Sequence, residues 1–285
     1  MNRRKEILSK ARSVTWMPIA ATKLFKLLQD PHVRIRDVTE TAELDPGLTA
    51  DLLRLANSSI YSWARRIGSI QEAVLRLGTD KVFELVVASV AATLAKGGIK
   101  GYGLPPGELW RHSVAVAIGA CELSAALNLD SSKYTFTSAL LHDIGKIVLG
   151  TFVQIDAVPI TALAFEKNVP FEEAERRVLG IDHAEVGAFL LECWNLPEEL
   201  VDVVRWHHQP EHFLDEPGPA DLVHVADALS MMGGIGTGMD GLNYRLSSRL
   251  ASRLGLKARI TERVACRTIE KLEEMKGFFK LTRGR

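Results

Sequence analysis

Five imidazoles and two carboxylates, His112, His142, Asp143, His183, His207, His208 and Asp227, interrupt segments of this 285-residue chain that otherwise read as apolar. The densest is SALLHDIGKIV, residues 138–148, where His142, Asp143 and Lys146 stand in a run greasy enough to be buried. Burying such groups without partners costs on the order of several kcal/mol each, so they need something to bind. Imidazole nitrogens and carboxylate oxygens together suit a transition-metal ion, and one inorganic centre would satisfy the whole set. Each residue also has a plainer reading. A lone histidine can be a hydrogen-bonded core residue, His207-His208 a helix C-terminus favoured by the dipole, and Asp227 a cap or an arginine's partner. Lys146, four residues after His142 and so on the same helical face, reads either as a phosphate contact or as a snorkelling lysine.

The elements that must position these groups are helices. His112 lies in ELWRHSVAVAIGACELSAAL, and Asp182 before His183, with Glu185 after it, resembles a capped helix start. His207 and His208 close EELVDVVRWHH, where Gln209-Pro210 stops the helix, and Asp227 lies in ADLVHVADALS. Helices packed in a bundle can project groups so distant in sequence to a common point.

Almost every periodic segment has apolar residues at three and four spacing, and no alternating strand of useful length occurs, so the fold is expected to be all-α. Asp45-Pro46 predicts a helix start before LTADLLRLANSSIY, Gly78 closes QEAVLRLG, and Thr79 reads as the cap of the next helix. The glycine- and proline-rich KGGIKGYGLPPG, residues 96–107, predicts a lobe boundary. The expected organisation is a first helical lobe over 1–104, a metal-binding helical lobe over 105–240, and a basic helical extension over 241–285.

Lysine plus arginine equals aspartate plus glutamate at 35 each, which gives no global basic footprint for nucleic acid. From Tyr244 onward twelve basic and four acidic residues leave +8, which reads as a solvated helical face or as an anionic docking surface. Cys121, Cys193 and Cys266 are odd in number and widely spaced, and are expected to be small core residues. MNRRKEILSKAR lacks the apolar region of a signal peptide, and the uncharged stretch Leu85–Ala95 is far below the roughly 20 residues of a membrane span. No membrane association and a cytoplasmic location are therefore expected. GTGMDG, residues 236–241, fits G-x-G-x-x-G but follows a helix instead of a strand, so it reads as a flexible linker. His224 is expected as core or as a supporting partner of the ligands, His32 and His212 as surface residues, and Trp16, Trp63, Trp110, Trp194 and Trp206 as packing residues.

The order H, HD, H, HH, D resembles the HD superfamily of metal-dependent phosphohydrolases, and LLHDIGK is similar to the signature of its HD-GYP branch of cyclic dinucleotide phosphodiesterases. LDPGLTADLLRLANSSIYSWARRIGSIQEAVLRLG, residues 44–78, resembles the hallmark of the HDOD family, bacterial signalling domains related to HD-GYP. The resemblance implies an HD-like bundle for the second lobe. It also implies that the seven residues ligate two divalent transition-metal ions (iron, manganese, zinc or nickel), with Asp143 bridging them. Asp143 and Lys146 are then the candidate catalytic pair. A regulatory role with a signalling-protein partner is the first implication; hydrolysis of a phosphate-bearing small molecule is the alternative. Two departures weigh against a cyclic dinucleotide substrate. After the paired histidines the chain reads QPEHFLDEPGP in place of the acidic, glycine, tyrosine and proline residues of that branch, and Ala115 stands where a basic residue is often found.

Overall fold

The protein was analysed as a computed structural model, which describes residues 3–13, 18–58, 66–129, 132–213, 217–243 and 246–275. Among these residues the regular elements are helical. They are α1 (Arg3–Ser13), α2 (Ile19–Leu28), α3 (Ile35–Glu43), α4 (Pro46–Ala56), α5 (Ile70–Leu77), α6 (Thr79–Leu94), α7 (Glu108–Leu127) and α8 (Thr135–Leu141). There follow α9 (Gly145–Ile147), α10 (Ala157–Lys167), α11 (Phe171–Leu179), α12 (His183–Cys193), α13 (Glu198–Trp206), α14 (Pro219–Met232), α15 (Ser248–Arg253) and α16 (Ala258–Glu274). No strand occurs among the described residues, so the all-α expectation holds.

Local chemistry sets several boundaries. Asp45 caps α4, its Oδ1 accepting from Leu48 N at 3.0 Å, with Pro46 as the first helical residue. Ser69 accepts from Glu72 N at 3.1 Å while Glu72 reaches back to Gly68 N at 2.7 Å, a reciprocal start for α5 worth about 1 kcal/mol at the serine alone. Gly78, at φ 80°, ends α5 and is itself the N-cap of α6, so Thr79 is the first helical residue and not the predicted cap.

Helices α2–α6 pack on one another, and α6 meets α8. The second assembly is built around α7, against which α8, α14 and α16 lie; α12 packs on α13, and α10 on α11. Helix α1, which precedes the first-lobe helices in the chain, rests on α12 and on a π-helical turn at Val148–Val153. Arg4 of α1 pairs there with Glu185. Leu123, Leu141, Leu149, Ile160 and Leu190 are fully buried, each worth at most about 1.5–3 kcal/mol. Thr135–Val153 has the length and hydropathy of a membrane span, yet it is mostly buried and carries His142, Asp143 and Lys146.

Residues 96–107 form an ordered connection: Ile99 and Leu104 pair antiparallel, Lys100–Tyr102 is a 3-10 turn, and Tyr102 is completely buried. Two glycines permit this, since a Cβ on Gly101 would lie 2.9 Å from the Gly150 Cα. The structure corrects the expectation that the cysteines are core residues: Cys121, Cys193 and Cys266 are exposed, on the solvent sides of α7, α12 and α16. Trp110 and Trp194 are buried, and Trp206 stacks on exposed His212 at 3.8 Å. Trp16 and Trp63 lie outside the described residues, as do the last ten residues of the basic extension. Within that extension, Val264 and Leu272 of α16 are buried and Glu122 of α7 accepts from Lys271 at 2.6 Å and from Arg267 at 3.1 Å.

Candidate metal centre

Five separate elements deliver the seven residues to one point. Helix α7 supplies His112, the turn between α8 and α9 supplies His142 and Asp143, and α12 begins on His183. The C-terminal end of α13 supplies His207 and His208, and α14 supplies Asp227. The entry to α12 is as predicted, with Asp182 as N-cap accepting from Glu185 N at 2.7 Å. His142, Asp143, His112, His183, His207 and Asp227 are each no more than 3% exposed, and His208 is half-buried.

Three groups of potential ligand atoms lie within 4.8 Å of one another: His112, His142 and Asp227; His142, Asp143 and His207; and His183, His207 and His208. The first and last share no residue, so the cluster has two ends. Asp143 faces both. Its Oδ2 is 3.3 Å from His142 Nε2 and 3.5 Å from His112 Nε2, while Oδ1 is 3.4 Å from His183 Nε2. Ligands held about 2.1 Å from one ion stand roughly 3–4 Å apart, which is the spacing seen here.

The ring orientations are fixed from behind. His112 Nδ1 donates to the Ile235 carbonyl at 3.0 Å, His142 Nδ1 to the Ala139 carbonyl at 2.7 Å, and His207 Nδ1 to the Val204 carbonyl at 2.7 Å. A carbonyl can only accept, so Nδ1 carries a proton and each ring turns its Nε2 inward. His112 Nε2, His142 Nε2, His207 Nε2, Asp143 Oδ1 and Asp227 Oδ1 are buried without a hydrogen-bond partner. His112 Nε2 and Asp227 Oδ1 come within 3.0 Å of each other, close enough to share one ion. Since more than nine in ten buried polar groups are normally paired, five such atoms around one point fit a metal ion better than a core.

Electrostatics agree. Burial, reinforced by His142 and His183, holds His207 well below the ordinary imidazole range, and burial with His207 does the same to His208. Burial opposes ionisation of Asp143, but His142 and Lys146 override it and hold its carboxyl well below the usual range. Burial also opposes charge on His183, yet Glu175 raises it to about 9. Formally, Asp143, Asp227, Glu175 and Asp240 against Lys146 and the protonated His183, all at most 5% exposed, leave the buried cluster at four minus two, or −2. A deficit of that size in a low-dielectric interior calls for cations.

Three participants, Glu175, Tyr102 and Asp240, were not legible as site residues, whereas His224 was one of the expected supporting partners. Glu175 of α11 accepts from His183 Nδ1 at 2.6 Å and from His183 N at 3.0 Å, and Tyr102 donates its hydroxyl to the same carboxylate. His224 donates from Nδ1 to the His207 carbonyl at 2.9 Å, a supporting role. Asp240 lies in the segment read as a flexible linker. That segment is instead packed on the site: a Cβ on Gly236 would be 2.4 Å from His112 Cβ, and one on Gly238 would be 2.6 Å from the Tyr102 carbonyl. Asp240 pairs with Lys146, whose Nζ also donates to Asp143 Oδ2 at 2.6 Å. Lys146, 4% exposed, is therefore no snorkelling surface lysine. A signal was present for Glu175 alone, a carboxylate eight residues before a candidate ligand.

Comparison with known proteins places this architecture. A phosphohydrolase so described, provisionally, from Shewanella amazonensis SB2B has a solved structure with TM-score 0.69 and 25% identity, covering 94% of this chain and 97% of that one. An uncharacterized protein of Treponema pallidum is 25% identical over 216 residues, 75% of this chain and 41% of its own length. Ribonuclease Y of Acholeplasma laidlawii is 24% identical over 196 residues, 68% of this chain and 30% of its own. The chain thus spans less than half the length of these two relatives. The HDOD domain family matches residues 15–210, across the α2–α6 assembly and six of the seven cluster residues, and the chain belongs to that family.

Proposed function

We propose that this HDOD protein binds divalent transition metal at the seven-residue centre and acts in bacterial signal transduction through a protein partner. The observation that carries the reading is the set of five buried, unpartnered donor atoms aimed at one space. His112, His142 and Asp227 would hold one ion, His183, His207 and His208 a second, and Asp143 lies between them. The ring nitrogens at the back of the site keep the ligands in register, and Glu175 orients His183. Elemental analysis of protein purified without chelator and reconstituted with iron, manganese, zinc or nickel tests this. Near-stoichiometric metal that is lost in Asp143→Ala supports it; an absence of bound metal after reconstitution overturns it.

A second reading, hydrolysis of a phosphoester, is favoured by Lys146 beside Asp143 Oδ2. It is supported by the likeness to ribonuclease Y and to the Shewanella protein. Metal bound here supplies Lewis acidity and a more acidic water. The protein's part is to keep His207 and His208 neutral and to present an ammonium to a substrate oxygen. Release of phosphate or nucleotide from mono- and diesters with added manganese or iron, in the wild type but not in Asp143→Ala, is the expected result. Equal rates in the two proteins remove this reading.

A further inference from the structure

Among the described residues Lys146 is the one buried ammonium, and it is already occupied. Asp240 Oδ2 accepts from it, and Asp240 arrives on the segment that follows α14. Gly236 and Asp240 are buried whereas Thr237 between them is exposed, so one side of the segment meets solvent and the other covers the site. The segment is tethered at its start, where buried Ile235 gives its carbonyl to His112 Nδ1, and it follows Gly234 and Gly236 at φ 70° and 69°. A side chain at Gly236 or Gly238 would collide with His112 or Tyr102, so the backbone can sit on the site only where side chains are missing.

The contact is incompletely satisfied. Asp240 Oδ1 is buried with no hydrogen-bond partner, although its other oxygen is paired. A buried polar atom left without a partner costs free energy, so this oxygen would gain from exposure to water. A phosphate dianion on Lys146 would replace the carboxylate's charge with a larger one and let Asp240 return to water.

We propose that Asp240 is an internal stand-in for an anionic ligand of Lys146, and that residues 236–241 form a latch that a phosphomonoester dianion displaces. This rests on the phosphoester reading for its ligand class, but it is measured without turnover. With the latch closed, an open form populated on the order of 1–10% weakens apparent affinity by the same fraction.

The test titrates inorganic phosphate into metal-reconstituted wild type, Asp240→Asn and Asp240→Asn/Lys146→Ala, with metal content measured in each. Asp240→Asn is expected to bind phosphate about 10–100-fold more tightly than wild type, and the double variant to lose that gain. Unchanged or weaker binding in Asp240→Asn overturns the proposal. So does loss of metal from that variant, which would make Asp240 a positioning residue for Asp143. If Asp240→Asn does not fold, hydrogen exchange of wild-type amides 236–241 decides: faster exchange with saturating phosphate supports the latch, and unchanged exchange sinks it. A protein that binds phosphate through Lys146 but hydrolyses no ester removes the hydrolase reading and leaves the latch standing.

Discussion

Gly145 and His183 meet backbone to backbone: a Cβ on Gly145 would lie 1.9 Å from the His183 carbonyl oxygen and 2.7 Å from Gly187 N. The residue two places after Asp143 is thus pressed on the first turn of α12, which fixes how far His183 stands from the Asp143 carboxylate. Gly145→Ala must push the two backbones apart. An overpacked core typically loses about 1–3 kcal/mol. Thermal melting should fall by several degrees, and a chelator competition titration should show weaker metal binding. An unchanged metal affinity would show that the two chains do not need this contact to set the site.

Glu175 holds His183 through both its ring Nδ1 and its backbone N, while Tyr102 donates to the same carboxylate. Removing a group that orients a ligand typically costs about 10–100-fold in metal affinity. Glu175→Ala should show that loss in the same competition assay while retaining its helical circular dichroism. Tyr102→Phe leaves His183 its acceptor, so it should lower melting temperature with a smaller effect on metal.

These two examples mark what the sequence could reveal. His112, His142, Asp143, His183, His207, His208 and Asp227 stood out because polar residues in apolar helical runs demand an explanation, and the structure gathers all of them. Helix starts at Asp45-Pro46 and Asp182 were legible because a cap is a local interaction within four residues. Tyr102 and Asp240 were not, because each sits in a glycine-rich stretch whose composition reads as loose linker. Those glycines are there for close approach, and only the partner across the gap, Gly150 or His112, reveals it. The cysteines misled in the opposite direction: a small residue fits either face of a helix, and periodicity around Cys121 could not choose.

Acid should loosen α16 from α7. Burial opposes ionisation of Glu122, but Lys271 and Arg267 override it and lower its pKa below the usual carboxylate range. A lowered folded-state pKa means the stabilisation is present above the unfolded value near 4.5 and is lost as pH falls through the folded value. The basic partners are 50% and 58% exposed, which limits the gain to below about 1 kcal/mol per pair. Glu122→Gln should melt below wild type at neutral pH, with the two curves converging under pH 4. Parallel curves across the whole range would exclude this linkage.

Metal removal should separate the two ends of the cluster. A ligand that binds only the folded state stabilises it by about 2.7 kcal/mol at 100 times its Kd, so chelation should lower the melting temperature and metal should restore it. Asp227 belongs to the group with His112 and His142, and His208 to the group with His183 and His207. Asp227→Asn and His208→Ala should each retain metal at the opposite end, whereas Asp143→Ala, facing both, should lose the most. Without metal Asp227 still contributes. Burial opposes its ionisation, but His112, 3.0 Å away, and His142 override it and hold the carboxyl well below the usual range, so the charged form stabilises the folded chain at neutral pH. Metal-free Asp227→Asn should therefore melt below metal-free wild type, and the gap should widen when both are loaded with metal. A gap of the same size in both states would mean that Asp227 gains nothing from the ion.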